Sequence, residues 1–300
     1  MPRHDRRYDL MSMPRISGDA ETYILADGAK IDGLSRYIYG DEGAPVCEAL
    51  YRGTELEGLM AISPWLVKAP LDGPFATRCF AGWVQHGVAI ALASEFGIEQ
   101  LARHCRDLLM ALTTGGEPAI FRFYDPEILR GLLSTDRSGE DSGRLLGPAS
   151  VVAVQERTTG AWEYFRQATP ASDRQTAPFV IREKHLVAME KAVQRTALRR
   201  LECHTATYFP QLMGSESRQE EGDSIIVRLI RAANGKGLWS TRDLALYINT
   251  HGWLGLDAFA RADVTAIWDR HSSQPSQAIV RVAAYAEQQS REGRDYGQRQ

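Results

Sequence analysis

The sequence lacks most of the features on which catalysis, metal binding or membrane insertion depends. Four cysteines occur without paired spacing, which indicates free thiols in a reducing compartment rather than a disulfide framework or a zinc site. Phosphate-binding glycine loops, a GxSxG elbow and an HExxH motif are all absent. No stretch of about 18 apolar residues occurs. The sequence therefore predicts no membrane span, no metal or other cofactor and no catalytic residue.

Positive charge is carried almost entirely by arginine, and the chain has no excess of it. Only five of the 35 basic residues are lysines, and 38 acidic residues bring the formal net charge to −3. This balance gives no electrostatic reason to expect nucleic acid or an anionic membrane as a partner. Residues 1–15 are basic but lack the apolar core of a signal peptide, so we expect a cytoplasmic protein.

The pattern along the chain changes near its middle. Segments typical of strands and helices alternate in the first half, and helical patterns alone follow. This predicts an α/β N-terminal lobe with alternating strands and helices, then an all-α C-terminal lobe. The predicted parts are a disordered start at 1–17, the α/β domain at 18–167, a linker at 168–178, the helical lobe at 179–287 and a disordered tail at 288–300.

Turn signals place several strands within the first lobe. Residues 22–26 form a β-rich apolar run that ends in Asp-Gly, and residues 65–68 follow Ser-Pro. Residues 87–93 are small and apolar, as expected of a strand buried on both faces. Residues 151–155 and 162–165 flank Thr-Thr-Gly and predict a closing hairpin.

A long amphipathic helix opens the predicted helical lobe. It is expected to end at Tyr208, because Pro210 cannot continue it. The apolar residues at helical spacing, which we expect to be buried, are Leu186, Met189, Val193, Ala197 and Leu201.

The sequence Phe-Arg-Phe-Tyr-Asp-Pro at residues 121–126 is the most informative segment. Residues 119–123 have the pattern of a short strand, Asp125 is a good helix N-cap and the following proline suits a first helical turn. Burial of Arg122 in a strand is costly unless a carboxylate or carbonyl meets it. Arg122 therefore either fixes the fold through an ion pair or marks a surface where a partner docks.

Asp27 is the most enzyme-like position, because carboxylates at strand ends in α/β folds often bind ligands or act as nucleophiles. The alternative is that Asp27 caps a turn or pairs with an arginine. We prefer an ion-pair network of Asp27, Arg122 and Asp125 to catalysis, because no companion base or metal cluster accompanies them.

Five short segments, taken together, resemble the domain-of-unknown-function 4123 family. They are residues 23–29 (Tyr-Ile-Leu-Ala-Asp-Gly-Ala), 50–54 (Leu-Tyr-Arg-Gly-Thr), 63–67 (Ser-Pro-Trp-Leu-Val), 87–94, where the family has a Trp-Gly-aliphatic strand ending in Ser, and 120–129, which contain Arg-Phe-Tyr-Asp-Pro. Their order and spacing are similar to the family over residues 23–133. One departure is that Trp83 lies four residues before Gly87, where the family usually has Trp beside Gly, and His86 takes that place.

The resemblance implies an adaptor chaperone of bacterial type VI secretion rather than an enzyme. Members of the family bind a toxic effector and help to load it onto a VgrG-type spike protein. On this basis both proteins are the expected partners. Residues expected to bind a partner or to define the fold are Asp27, Arg52, Arg122, Tyr124 and Asp125.

Two other functions remain open from the sequence. One is a hydrolytic enzyme that uses Asp27 with Arg122, and the other is a scaffold that assembles with itself and has no client.

Overall fold

The computed structural model describes residues 20–40, 45–137, 139–156, 160–167, 170, 177–213 and 224–297. The chain forms two compact units, Met1–Val193 and Gln194–Gln300. The predicted disordered start at 1–17 and most of the predicted linker at 168–178 lie outside the described residues, so those boundaries stay predictions. Within the described ranges, no helix combines the length and apolarity that crossing a membrane requires.

Strands and helices alternate in the first unit. The strands are β1 (Glu21–Ala26), β2 (Cys47–Ala49), β3 (Trp65–Lys68), β4 (Ala89–Ser94), β5 (Met110–Thr113), β6 (Pro118–Ile120), β7 (Val151–Gln155), β8 (Trp162–Arg166) and β9 (Val180–Ile181). The helices are α1 (Leu34–Tyr39), α2 (Pro74–Cys79), α3 (Ile98–Leu109), α4 (Pro126–Thr135), α5 (Glu140–Leu146) and α6 (Glu183–Tyr208). A 3₁₀ helix spans Glu57–Ile62, and a π-helical turn spans Phe80–Val84.

The main sheet of the first unit has the strand order β2-β3-β1-β4-β7-β8. All neighbouring pairs in it are antiparallel, and β7 and β8 form the predicted hairpin. A smaller sheet pairs β5 with β6 antiparallel and with β9 parallel. The predicted fold class is confirmed: strands and helices make up the N-terminal part, and the described residues from Glu183 onward are helical.

Both faces of the main sheet are buried. Along β1, Tyr23 and Leu25 pack on one face with α3 and α4, whereas Ile24 and Ala26 pack on the other face with α1 and α2. Every residue of β4 is buried, which confirms the prediction of a buried strand for residues 89–93, whereas Gly87 and Val88 are half-buried and precede the strand. Successive side chains of a strand point to opposite faces, so two helical layers require strands that are apolar throughout.

The strand predicted at residues 119–123 is shorter than expected. β6 ends at Ile120. The Phe121 N–H still donates to the Leu109 carbonyl (2.8 Å), but the Asp125 N–H then donates to the Arg122 carbonyl (3.1 Å) and closes a turn. The chain must leave the sheet here because Asp125 has to reach the start of α4. Arg122 therefore lies in a turn and not in a strand.

The predicted end of α6 is confirmed, but its first turns bury a different face than expected. His185 and Ala188 are buried, whereas Leu186 and Val193 are 50% and 59% exposed. Gly131 allows α4 to approach the backbone of α6, since a Cβ there would lie 3.2 Å from the Ala188 carbonyl oxygen. The prediction that Leu186 and Val193 are buried is wrong, because this close approach and the anchoring of His185 decide which face packs.

The described part of the second unit is helical. After the C-terminal half of α6 it contains α7 (Ile225–Gly235), α8 (Thr241–Leu254), α9 (Ala262–His271), α10 (Pro275–Gly297) and short 3₁₀ helices at Pro210–Met213 and Ala258–Ala260. Its core includes Leu201, Ile226, Tyr247, Trp268 and Ile279. α10 extends into the segment 288–300 for which the sequence predicts a disordered tail. Arg291 pairs with Glu287 one turn away, and such i,i+4 pairs support an exposed helix.

Asp141 of α5 anchors the start of α6. Its carboxylate accepts hydrogen bonds from Arg182 Nη1 (2.7 Å), Lys184 Nζ (2.5 Å) and His185 Nε2 (3.2 Å). The Arg182 N–H donates to His185 Nδ1, which leaves the proton on Nε2 for the bond to Asp141. Burial opposes ionisation of Asp141, but the bonds from Lys184 and Arg182 outweigh it and lower the pKa from 3.8 to about 2.

We predict that this anchor makes stability depend on pH in the acid range. A carboxylate with a lowered folded-state pKa contributes stability that is present above its ordinary pKa and lost as pH falls toward the folded value. Asp141→Asn should therefore lower the free energy of unfolding by about 1–2 kcal/mol at pH 7, since Arg182 and Lys184 are partly solvated. The deficit should shrink between about pH 4 and about pH 2. Urea unfolding of both proteins across this range measures it.

Asp269→Asn is the control, because Asp269 is exposed and forms no ion pair within the described part of the chain. If the difference in free energy of unfolding between wild type and Asp141→Asn stays constant down to pH 2, the ionised Asp141 carboxylate is not what makes the anchor stabilising.

Candidate functional site

A network of polar side chains joins the end of β1 to the start of α4. Asp27 follows β1 and is fully buried, with 0% exposure. Its Oδ2 accepts from Arg122 Nη2 in an ion pair, and its Oδ1 accepts from the Ala29 N–H (3.1 Å). Lys30 Nζ lies 3.8 Å from the same Oδ2. Both carboxylate oxygens of Asp27 are therefore engaged.

Asp125 connects the same turn to α4. Its Oδ2 accepts from Lys30 Nζ (2.6 Å), while its Oδ1 accepts from the N–H groups of Glu127 (3.0 Å) and Ile128 (3.2 Å). The predicted helix cap is thus present, and Pro126 occupies the first turn. Because Lys30 follows β1 and Asp125 caps α4, their ion pair also links the turn after β1 to the start of α4.

Arg122 is held on two sides but remains partly open to solvent. Its side chain is 41% exposed, and its guanidinium carbon lies 5.7 Å from the centre of the Tyr124 ring. Burial disfavours the charged form, but the Asp27 carboxylate outweighs it and raises the pKa of Arg122. Arg122 stays positively charged and neutralises Asp27, as the preferred network requires.

Tyr124 extends the network to the segment after β2. Tyr124 is buried, and its hydroxyl lies 3.3 Å from the hydroxyl of Tyr51. Burial and this hydrogen bond both raise the pKa of the Tyr124 hydroxyl. The Tyr51 N–H donates to Ser63 Oγ (3.1 Å), and Ser63 Oγ donates to the Pro64 carbonyl (2.9 Å). The residues around Tyr51 and Ser63 are therefore tied to the turn before α4.

Gly28 completes the junction by close approach. A Cβ at Gly28 would lie 2.0 Å from the Ser63 carbonyl oxygen and 3.1 Å from the Ile62 carbonyl carbon. Only glycine allows the turn after β1 to pack directly on the backbone before β3. We refer to Asp27, Gly28, Lys30, Tyr51, Ser63, Arg122, Tyr124 and Asp125 as the junction.

Four of the five residues predicted for a site meet in the junction: Asp27, Arg122, Tyr124 and Asp125. Arg52 does not join them, because it is exposed and lies beside Tyr39 and Cys47. Their roles in partner binding or fold definition stay predictions.

Sequence reasoning missed Lys30 and Tyr51. Lys30 lies three residues after Asp27, and this spacing can bring its side chain back to the carboxylate across a turn. The spacing was the signal in the sequence that could have placed Lys30 in the site. Nothing in the sequence indicated the pairing of Tyr51 with Tyr124.

The polar groups of the junction are engaged with one another, and Asp27 lies at the end of an antiparallel strand. β1 is antiparallel to both neighbours, so its end does not border the crevice in which parallel α/β sheets bind ligands. Within the described residues, no group of three or more His, Cys, Asp or Glu side chains could hold a metal ion. With both oxygens engaged and no exposure, Asp27 presents no free carboxylate to a substrate.

The junction coincides with a recognised family region. Residues 22–140 match the family model described as a domain of unknown function, DUF4123. We refer to residues 22–140, the part of the chain that is similar to this family, as the DUF4123 domain. All eight junction residues lie within the DUF4123 match, which confirms the resemblance seen in the sequence motifs.

The similarity to one curated protein extends beyond the DUF4123 domain. Accessory protein VasW of Vibrio cholerae serotype O1 is 26% identical over 283 residues, which cover 91% of this chain and 90% of VasW. No solved structure matches the chain.

We predict that Arg122→Ala destabilises the DUF4123 domain, because it leaves the buried Asp27 without its main counter-charge. The cost should be about 2–4 kcal/mol, below that of a fully buried pair since Arg122 is partly solvated. Adding Asp27→Asn should recover part of the loss, with a coupling energy of about 1–3 kcal/mol. Urea unfolding of the two single variants and the double variant gives this cycle.

The matched control is Arg291→Ala, which breaks an exposed helix pair and should cost at most about 0.5 kcal/mol. If Arg122→Ala unfolds at the same urea concentration as the wild type and loses only the binding of a partner, Arg122 belongs to a binding surface instead of the fold.

A second prediction concerns the close approach at Gly28. Gly28→Ala should lower the free energy of unfolding by about 2–3 kcal/mol, because its Cβ meets backbone that cannot move aside as a side chain could. Gly58→Ala is the control, since a Cβ there meets nothing within 4 Å. Equal denaturation midpoints for the two variants would contradict this account of Gly28.

Proposed function

We propose that this protein is an accessory protein of bacterial type VI secretion, and more specifically an adaptor chaperone. It binds a toxic effector in the cytoplasm and helps to load it onto a VgrG-type spike protein. The observation that carries the proposal is the similarity to accessory protein VasW over about nine-tenths of both chains. Because this similarity includes the second unit, it supports a shared role for the whole chain and not only for the DUF4123 domain.

The junction supports an adaptor over a hydrolase. A hydrolytic carboxylate must be open to substrate or water and have a partner base or acid. Asp27 is not open in this way, because it is fully buried and Arg122 and the Ala29 N–H engage its two oxygens. The polar groups of the junction form hydrogen bonds and ion pairs with one another, as expected where a domain provides a rigid surface.

The second unit supports a role in binding. Trp239 is 71% exposed, immediately before the N-cap of α8, and Tyr208 is exposed at the end of α6. Aromatic side chains of this kind dominate binding energy at protein interfaces. We assign the DUF4123 domain to the spike and the helical unit to the effector, because family motifs occur in the first and the effector is the partner that differs between systems.

Co-expression with the adjacent spike and toxin genes tests the proposal. We expect a complex that survives a pull-down at moderate salt, together with more soluble toxin than when the toxin is expressed with an unrelated protein. Recovery of this protein alone, in the presence of both candidates, would count against an adaptor. Light scattering of the pure protein then decides the scaffold alternative, since a scaffold should assemble without partners.

A further inference from the structure

One edge of the main sheet is open at Cys47. β2 is the outermost strand on that side of the sheet. The Val46 carbonyl accepts from the Lys68 N–H (2.8 Å), which places Val46 in a hydrogen-bonded pair with the end of β3. Because bonded and non-bonded pairs alternate along an antiparallel ladder, Cys47 turns its N–H and C=O away from β3. Within the described ranges, no residue forms a hydrogen bond with these two main-chain groups.

The open part of the edge is short. At Ala49, the outward carbonyl accepts from the Arg52 N–H (3.3 Å) and from Arg106 Nη2 (3.2 Å), so the turn after β2 and helix α3 close the edge there. Main-chain pairing with another protein is therefore confined to the neighbourhood of Cys47. A short opening limits uncontrolled pairing between sheet edges and still admits an extended peptide.

Arg52 brings a positive charge to this opening. Its side chain is exposed and forms no ion pair in the part of the chain that the structure describes. The groups beside it are the Tyr39 hydroxyl and the Cys47 thiol, and burial raises the pKa of both, so they stay uncharged at neutral pH. The Glu48 carboxylate of β2 is already paired with Arg106 (2.6 Å). The charge of Arg52 is therefore not neutralised by its neighbours.

Further side chains suited to a protein interface surround the opening. The Tyr39 ring packs edge-on against Trp65 (5.7 Å between centroids) and is still 54% exposed, and Val46 is 58% exposed. Arg36 lies one turn before Tyr39 on α1, is exposed and has no ion pair among the described residues. Tyrosine and arginine are both enriched in protein interfaces. We refer to Arg36, Tyr39, Val46, Cys47 and Arg52 as the β2 edge.

Arg52 also differs from its neighbours in the motif at residues 50–54, because the fold does not use its side chain. Tyr51 bonds to Ser63 and Tyr124, and Thr54 Oγ1 donates to the Tyr51 carbonyl (2.8 Å). These contacts hold the turn after β2 in place and leave the Arg52 side chain directed outward. A charged group on a fixed turn loses little conformational entropy on binding, which favours recognition at this position.

The chemistry of the β2 edge specifies what fits it. An open N–H and C=O on an edge strand are both satisfied by the main chain of an extended peptide. The two arginines without counter-charges favour aspartate or glutamate, because a guanidinium can hold a carboxylate through two parallel hydrogen bonds. A nucleic-acid backbone would complement the charge, but its phosphates offer no N–H to the Cys47 carbonyl.

We propose that the β2 edge binds an extended segment of a partner protein, which pairs with the main chain of Cys47 and places an aspartate or glutamate on Arg52. The proposal goes beyond the adaptor role, since it specifies a mode of binding and a charge. It holds for whichever protein presents such a segment.

A display library of short random peptides, panned against the intact protein, tests the proposal without assuming a partner. We expect the enriched peptides to contain aspartate or glutamate among residues of high β propensity. Arg52→Glu should bind a synthetic copy of an enriched peptide at least about ten-fold more weakly than the wild type, with an unchanged melting temperature. Arg103→Glu is the matched control, because Arg103 is exposed on α3, has no ion pair in the described part of the chain and changes the net charge equally.

Hydrogen exchange tests the main-chain pairing. The peptide should slow exchange of the Cys47 amide and leave the amide of Ile120, on the edge strand β6 of the smaller sheet, unaffected. An N-methylated form of the peptide keeps its side chains and charge but cannot pair as a strand, so it should bind at least about ten-fold more weakly. Unchanged exchange at Cys47, or equal binding by the N-methylated form, would overturn the proposed pairing.

Three other outcomes would overturn the proposal. They are the absence of enriched peptides, enriched peptides without acidic residues, and equal binding of an acidic peptide by wild type and Arg52→Glu. Self-association of the wild type that Arg52→Glu abolishes would assign the β2 edge to a second copy of this chain instead. The adaptor proposal stands in each case, because the pull-down with spike and toxin tests it separately.

Discussion

The first unit depends on one electrostatic constraint, which is that the buried carboxylate of Asp27 must be met by a positive charge. An unpaired carboxylate without solvent access would strongly destabilise the fold. Arg122 lies 95 residues away along the chain and belongs to neither neighbouring strand of β1. It reaches Asp27 only when the turn before α4 lies against the end of β1. The ion pair thus positions two segments that share no strand pairing.

The same constraint explains why the family motifs occur as an ordered set. Each motif contributes a group that another motif requires: Arg122 for Asp27, Ser63 for Tyr51, and Gly28 for the backbone at Ser63. A polar residue missing from one segment would leave a buried group without a partner in another. The network also uses its own hydrogen-bonding capacity internally, so its outward effect is the geometry of the surface beside it.

Local signals were sufficient where one short segment decides the structure. Asp125 and Pro126 predicted the start of α4 because an N-cap and its first turn are neighbours in sequence, and the β7–β8 hairpin followed from its turn. Contacts between distant segments were not predictable in this way. The inward face of α6 depends on Gly131 of another helix, and Lys30 acquires its role only when Asp125 is beside it. Arg52 also belongs to a motif that resembles the family. Its position beside Tyr39, outside the junction, likewise depends on contacts between segments that are distant in sequence.

The sequence distance between Asp27 and Arg122 also has a consequence for synthesis. At roughly 5–20 residues per second, the ribosome needs about 5–20 s to add the chain between them. During that interval Asp27 stays in water and Tyr51 has no Tyr124 to contact. The junction closes only after α4 has left the ribosome, so the contacts that join the end of β1 to the segment before β3 and to the turn before α4 form late in translation. The buried carboxylate of Asp27 consequently acquires its counter-charge only when the DUF4123 domain is nearly complete.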